Sequence, residues 1–505
     1  MIRQLSNAAN TILENNVSEK GKKVVVSRRL SFDDRRLNHI VFDQESKIIF
    51  FIILLAQLLL PNGGYLFLCL LTIYLIFYFQ QQPLKSGVFS LIAFNHVLQI
   101  IAAVWQANYV GKDINFRSPG MSDATVAGCF GLVALFLPIL YFQDKMPSLS
   151  WNELRKEAQK FSTSRTFNCY LASFFIASFL SGVLFFFAGL AQVVVSLVKI
   201  KWFFFLLFGY QSMLKNEKRN LFYLFIAIEF LSGFFSFFSG FKTVIYALVV
   251  LMLGLVQIIN IKKVIYGGII GGALFLFSLV WTSIKTQYRS FINTGSKQQV
   301  VSVSKGDALN KIYDLSSNVS NEDLNSSMYQ MLDRLQYTFH FARTIQRVPY
   351  VIPFQNGKNW QDNIEYSTTP RFLNPNKPIL DATEKTKKYT GLAYAGLTTG
   401  ASFSLGYFAE CYIDFGFWGM MFPLLIIGFI YGLTYVYLMK NTSKNFIFNY
   451  SLVGAFFMEF FAFEMDGTFL VGRFLATLVT FIFCIKVFFP WVINYISVPQ
   501  QKKSD

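Results

Sequence analysis

The chain has 505 residues, of which 54% are hydrophobic and only 14% charged, with a formal net charge of +17 and a mean hydropathy of +0.43. A soluble domain carries roughly a quarter charged residues, so much of this surface faces something other than water. The basic excess lies between apolar stretches, where it sets membrane topology, and this argues against nucleic acid as a partner.

The first 46 residues are polar and mixed in charge, and no cleavable signal peptide is visible, so an internal span is expected to direct targeting. Arg28-Arg29-Leu30-Ser31 reads more readily as part of a topology-setting arm than as a kinase or lipid-binding site. Residues 47–284 then hold about nine apolar stretches of ~17 to 25 residues, the length that crosses a bilayer as a helix. They lie near 48–60, 64–80, 87–107, 122–142, 167–189, 202–214, 219–239, 242–259 and 264–284. The first and sixth are short, as tilted or re-entrant segments are. The stretch 189–201, broken by Gln192, Lys199 and Lys201, reads as an interfacial helix.

A polar segment, 285–405, separates these from three further spans within 406–495, near 408–438, 446–464 and 470–494; residues 496–505 form a short tail. The expected fold is therefore an all-α polytopic membrane protein with about twelve transmembrane helices. One large loop lies between the ninth and tenth.

Basic residues orient the chain. Lys20, Lys22, Lys23, Arg28, Arg29, Arg35 and Arg36 in the arm, Lys145, Arg155, Lys156, Lys160 and Arg165, Lys215, Lys218 and Arg219, Lys262 and Lys263, Lys440 and Lys444, and Lys502 and Lys503 all fall on one side. The positive-inside rule makes that side cytoplasmic. Both termini are then cytoplasmic and the large loop is extracytoplasmic, in a multi-pass protein of the cytoplasmic membrane. A loop this long is no mere connector. It holds a helix expected near 325–347 and three prolines, Pro370, Pro375 and Pro378.

Basic residues facing outward run against the charge bias. They are Lys242 at the start of the eighth span, Arg343 and Arg347 four apart, Arg371 and Lys377 in the Pro-rich stretch, and Arg473 near the start of the last span. Guanidinium forks and ammonium groups match phosphate oxygens, and as a set they suit a lipid-linked pyrophosphate. Each alone also fits a snorkelling or salt-bridged residue. Among the acids, Glu229 sits within the seventh span, Glu459, Glu464 and Asp466 cluster at the end of the eleventh, and Glu410 and Asp414 share a face at the start of the tenth. Glu410 and Asp414 are candidates for the base that activates a sugar hydroxyl, or for pairing with Arg473, Arg371 or Lys242. His340, three residues before Arg343, is a candidate base or a structural residue.

Trp360, Tyr366, Tyr389, Tyr394, Tyr407 and Tyr412 suit either sugar stacking or the membrane interface. The five cysteines, Cys69, Cys129, Cys169, Cys411 and Cys484, form no Cys-x-x-Cys and no disulfide framework. No P-loop, dinucleotide motif, His-Glu-x-x-His or metal-ligand cluster occurs, so no cofactor or metal is expected. A donor that arrives already activated on a lipid fits that pattern.

Three motifs resemble those of the Wzy-type oligosaccharide repeat-unit polymerases, the O-antigen and capsule polymerase family. Ser239-Gly240-Phe241-Lys242-Thr243 is similar to a Ser-Gly-Ser-Arg/Lys-Gly turn at the outer start of a span, with Phe241 and Thr243 in place of small residues. The stretch from Pro370 to Pro378, with Arg371 and Lys377, is similar to a Pro-Arg-x-x-x-Pro-x-Lys-Pro pattern. Gly406 to Gly419, with Glu410, Tyr412, Asp414 and Phe415, looks like the segment that leads from the loop into the next span.

The resemblance implies a metal-independent glycosyltransferase whose partners are a lipid-linked oligosaccharide donor and acceptor, membrane lipids and, as a candidate, a chain-length regulator. A glycan on undecaprenyl pyrophosphate would pass to an incoming lipid-linked repeat unit, building surface polysaccharide. Arg371, Arg343, Arg347, Lys242, Arg473 and Lys377 would hold pyrophosphate, and Glu410, Asp414 or His340 would serve the acceptor hydroxyl. An O-antigen ligase-type transferase, a repeat-unit flippase and a non-enzymatic scaffold are the alternatives. The absence of a visible internal repeat weighs against a transporter.

Overall fold

The structure is a computed structural model, and it describes residues 41–42, 44–80, 87–147, 149–183, 191–234, 241–256, 258–295, 301–369, 374, 377, 381–394, 402–460 and 462–499. Among the described residues the only strands are two short ones, β1 (Val41–Phe42) and β2 (Ile258–Ile259), which pair in parallel with Val41 opposite Ile258. Helices make up the rest of the framework. In order they are α1 (Gln44–Ala56), α2 (Gly63–Phe79), α3 (Gly87–Tyr109), α4 (Met121–Asp144), α5 (Trp151–Gln159), α6 (Thr163–Val183), α7 (Ala191–Val198), α8 (Ile200–Lys215), α9 (Arg219–Phe234), α10 (Phe241–Leu255) and α11 (Ile261–Ile292). The large loop supplies α12 (Lys305–Ser317), α13 (Asn321–Leu335), α14 (Thr338–Arg347), α15 (Lys358–Thr368) and α16 (Ala382–Thr390). The chain closes with α17 (Tyr407–Gly419), α18 (Met421–Asn441), α19 (Phe446–Phe457), α20 (Gly467–Phe483) and α21 (Phe489–Ile496).

Six helical stretches among the described residues are long and apolar enough to cross a membrane: Gly87–Tyr109, Met121–Asp144, Gln192–Lys215, Ile261–Ile292, Met421–Asn441 and Gly467–Ile496. Others are apolar but short, with 17 residues in α2, 15 in α10 and 12 in α19. Two expectations change. The interfacial helix read at 189–201 is not separate: α7 runs into α8 across Lys199, whose backbone is itself helical, and the two form one apolar stretch. The expected span at 408–438 is kinked inside α17 at Gly416, whose φ of 69° is a left-handed conformation that favours glycine; the helix resumes after it and passes through the helical Met420 into α18.

The loop is mostly helical, and the single helix expected at 325–347 is two. α13 begins with a reciprocal cap between Ser320 and Asp323. It ends at Gln336, which is extended and whose side-chain oxygen accepts from the Phe339 N–H at 3.0 Å to start α14.

Packing is tightest where glycine removes a side chain. A Cβ on Gly428 of α18 would stand 2.0 Å from the Leu135 carbonyl of α4. Leu132, Leu135, Phe136 and Ile139 are buried against Leu424, Tyr431 and Tyr435 along this seam. The Phe-rich runs fill the interior elsewhere: the rings of Phe203, Phe448 and Phe489 lie 4.8 to 5.4 Å apart. Large apolar side chains also cover the outside, among them Phe51, Phe179, Ile269, Phe422, Val479 and Trp491, as a lipid-facing surface requires.

The bundle has two unlike ends. At one, α5 is tied to the start of α19 by the Asn445 amide, which donates to the Glu157 carbonyl at 2.8 Å, and Lys215 donates to the Phe161 carbonyl at 3.2 Å. At the other, the loop helices sit on the C-terminal half of α3 and the start of α4. The Tyr337 N–H donates to the Gln99 carbonyl at 3.1 Å, and Gly120 lies against the Ala342 carbonyl.

Candidate anion-binding site

Helix α14 packs Thr338, Phe341, Ala342 and Thr344 inward. His340, Arg343 and Arg347 share its other face, since residues three and four apart are neighbours on a helix. These three expected residues are therefore brought together.

Arg343 donates to the Gln346 side chain at 3.0 Å. Arg347 lies against the backbone of Gly391, where a Cβ would meet its Nη1 at 2.3 Å; Gly391 has a φ of 71° and caps α16. Among the described residues, nothing pairs with the buried Nε atoms of Arg343 and Arg347 or with Nδ1 of His340. The two Nε atoms are unmet buried donors, which are costly, and an anion on this face would supply their acceptors.

Sequence reasoning missed Arg117, which joins this face. It pairs with Asp333, donates to the Gln106 side chain at 3.2 Å and stacks on Phe339, 4.5 Å from the ring centre. Its charge and that of Asp333 both reach His340. Arg117 lies in the connection from the third to the fourth span, on the side that the charge bias makes outward, and that position was a usable signal.

His340 packs between Tyr337 at 4.9 Å and Tyr394 at 5.5 Å, and Tyr394 packs on Phe403 at 4.9 Å, each pair of rings tilted by 31 to 33°. Together the rings form an aromatic shelf beside the cations. Burial, reinforced by Arg117, pushes the His340 imidazole down to about 4. At neutral pH it is uncharged.

The two candidate acids of α17 lie elsewhere and are engaged. Asp414 is fully buried and accepts the backbone N–H groups of Asn359 at 3.1 Å and Trp360 at 2.9 Å, capping the start of α15. Glu410, also fully buried, accepts from the side chains of Asn363 at 2.5 Å and Asn359 at 3.2 Å and from the Gly467 N–H at 2.9 Å. It pairs with Lys385 of α16 at 3.1 Å, and Lys385 in turn reaches Asp466 at 3.3 Å. Burial alone would lower the Lys385 ammonium; the Glu410 and Asp466 carboxylates hold it above its ordinary value. Lys385 carried no sequence signal, because it sits in a run of lysines that resembles a solvated helix.

The remaining candidates separate. Lys377 is held over the Tyr366 ring and donates to the carbonyls of Tyr366 and Thr369 at the end of α15. Arg473 is exposed on α20 near Phe469, and its charge reaches Lys199, the partner of Glu459 at 3.2 Å. Lys242 joins a different group, with Lys285, Arg289, Arg334 and Glu464. Arg371 lies outside the described residues.

On the far side of α15 an apolar groove of about 780 Å³ opens between α15, α18 and α20, lined by Trp360, Ile364, Ile426, Ile430, Leu470 and Phe474 among others.

A family model described as a domain of unknown function (DUF8712) matches residues 125–496, most of the chain, and the chain belongs to that family. No curated protein and no solved structure matches it.

Proposed function

We propose that this DUF8712 member is an integral-membrane glycosyltransferase that polymerises lipid-pyrophosphate-linked oligosaccharide repeat units on the outer face of the cytoplasmic membrane. The observation that carries the reading is the α14 face, where Arg117, Arg343 and Arg347 surround an uncharged His340 and the Nε atoms of Arg343 and Arg347 have no acceptor among the described residues. Three guanidinium groups beside an aromatic shelf suit a pyrophosphate joined to a sugar. The motif resemblance in the sequence points the same way.

On this reading about twelve spans cross the bilayer, the short helices α2, α10 and α19 included. The loop end faces out, because Lys156, Lys160, Lys215 and Lys444 gather at the other end.

Arg117, Arg343 and Arg347 hold the donor pyrophosphate. An acceptor hydroxyl attacks the anomeric carbon, the bond from that carbon to the pyrophosphate oxygen breaks, and both electrons leave with the lipid pyrophosphate. The guanidinium groups stabilise the charge that grows there. Nδ1 of His340 accepts the hydroxyl proton. Glu410 and Asp414 act as positioning residues that fix α15 and α16 on the bundle.

The test is genetic. In a cell that makes the polymer, deleting the gene should collapse the surface glycan ladder to single repeat units. Wild type should restore the ladder, while Arg343→Gln at equal membrane abundance should not. Full restoration by the variant removes Arg343 from the site, and an unchanged ladder in the deletion strain removes the function.

A further inference from the structure

At the loop end of α11, a second set of cations converges from three helices. Lys242 opens α10, Lys285 and Arg289 lie four apart on the last turns of α11, and Arg334 ends α13. Each lies within electrostatic reach of others in the set: Lys242 of Arg289 and Arg334, Lys285 of all three, and Arg289 of Arg334. The charges acting on Lys285 among the described residues are all positive. Glu464 is the carboxylate whose charge reaches Lys242, and it is also engaged by the Gln99 amide at 2.8 Å. Like charges gathered at one helix end repel one another, and the cost grows where protein displaces water. An anion relieves it.

We infer that Lys242, Lys285, Arg289 and Arg334 form a second phosphate site, which takes the anionic headgroup of a membrane lipid. Two observations set the ligand class. The site is built on the end of α11, whose earlier turns expose Ile265, Ile269, Ile270 and Leu276, so a lipid chain can lie alongside the helix below the cations. The packed face of α11 is the other one, where Trp281, Ile284, Tyr288 and Ile292 meet Phe241 and Ala308. The end of an apolar spanning helix is also the depth at which lipid phosphates lie.

The site is distinct from the α14 face. Asp333 turns to Arg117, whereas the next residue, Arg334, points about 100° further round the helix toward α11. The aromatic ring of Tyr337 packs on His340, while its hydroxyl donates to the Ser404 carbonyl on the side where the Glu464 charge is felt. The inference does not depend on the glycosyltransferase reading. The shared chemistry is a phosphate ester on a lipid, whether an ordinary phospholipid or a polyprenyl phosphate.

The experiment is native mass spectrometry of the full chain in detergent, titrated in separate arms with phosphatidylglycerol, phosphatidylcholine and a polyprenyl phosphate. At least one anionic lipid should bind more tightly than phosphatidylcholine and be displaced by inorganic pyrophosphate. Arg289→Gln with Arg334→Gln should weaken it at least tenfold, Arg289→Lys with Arg334→Lys should largely keep it, and Arg343→Gln with Arg347→Gln should leave it intact. The arm that responds identifies the source of the phosphate. Unchanged binding in the Gln pair overturns the site. So does equal loss in the Lys pair, or equal loss in the Arg343 and Arg347 pair, which would mean a single site.

Discussion

The ammonium of Lys385 lies 3.1 Å from Oε2 of Glu410, a carboxylate with no exposure to solvent, and this contact ties a helix of the large loop to the helix that re-enters the bundle. Around it Asn359 and Asn363 of α15, the Gly467 N–H of α20 and Asp466 complete a buried network. Four helices, α15, α16, α17 and α20, are fixed at one point. The loop is therefore built onto the bundle as a folded cover.

Removing one partner of a buried pair leaves the other charge without compensation, at a cost of roughly 3 to 5 kcal/mol. Lys385→Ala should destabilise the loop by about that much, seen as rapid protease cleavage between 285 and 405 in the purified protein. Lys385→Met combined with Glu410→Gln should recover part of the loss. Cleavage at the wild-type rate in Lys385→Ala would show that the pair does not hold the loop.

Gly391 offers a way to move Arg347 without changing it. Alanine there adds a Cβ 2.3 Å from Nη1 in a backbone with a φ of 71°. Gly391→Ala should cost about 1 kcal/mol of stability from the left-handed backbone. It should also lower polymer formation about as much as Arg347→Gln does. Normal polymer with a displaced guanidinium would take Arg347 out of the site; chain length on a glycan gel checks it.

His340 makes a statement about pH. Its ordinary value is near 6.5 and its folded value about 4, so the folded state resists protonation. The stability this contributes is fully present above about 6.5. It is lost as pH falls toward 4. His340→Gln should therefore flatten the decline in melting temperature between pH 7 and pH 4. A parallel decline in both proteins would mean that the imidazole titrates freely in the fold.

The α4–α18 seam gives a stability prediction remote from either site. Gly428→Leu places a side chain where the Leu135 carbonyl already stands 2.0 Å from the added Cβ. Overpacking of this kind costs typically ~1 to 3 kcal/mol, and a backbone obstacle puts Gly428→Leu at the upper end. Thermal unfolding in detergent measures it, and an unchanged midpoint would mean that the helices separate easily.

Much of this fold is legible in the sequence, because long apolar runs impose helices and their ends follow from polar residues. The stretches beginning at Gly87 and Met121 needed little more, whereas the run read as 408–438 gave no sign of the kink at Gly416. The boundary around Lys199 was not legible: one lysine in an apolar run looks like a break, yet it pairs with Glu459 at 3.2 Å and the helix continues. That Arg343, Arg347 and His340 share a face was legible because spacing on one helix is local information. Their union with Arg117, more than two hundred residues away, depends on tertiary packing. Glu410 and Asp414 were visible as acids at the edge of a span, but their roles depend on Lys385, Asn359 and Asn363, which only the folded loop brings to them.

The most direct measurement supplies purified protein in liposomes with one synthetic lipid-pyrophosphate-linked repeat unit and follows product size by mass spectrometry. The account predicts a series of lengthened glycans released from one lipid carrier per addition, lost in Arg343→Gln with Arg347→Gln. Recovery of the unextended repeat unit alone, from protein that is folded and inserted, would contradict it.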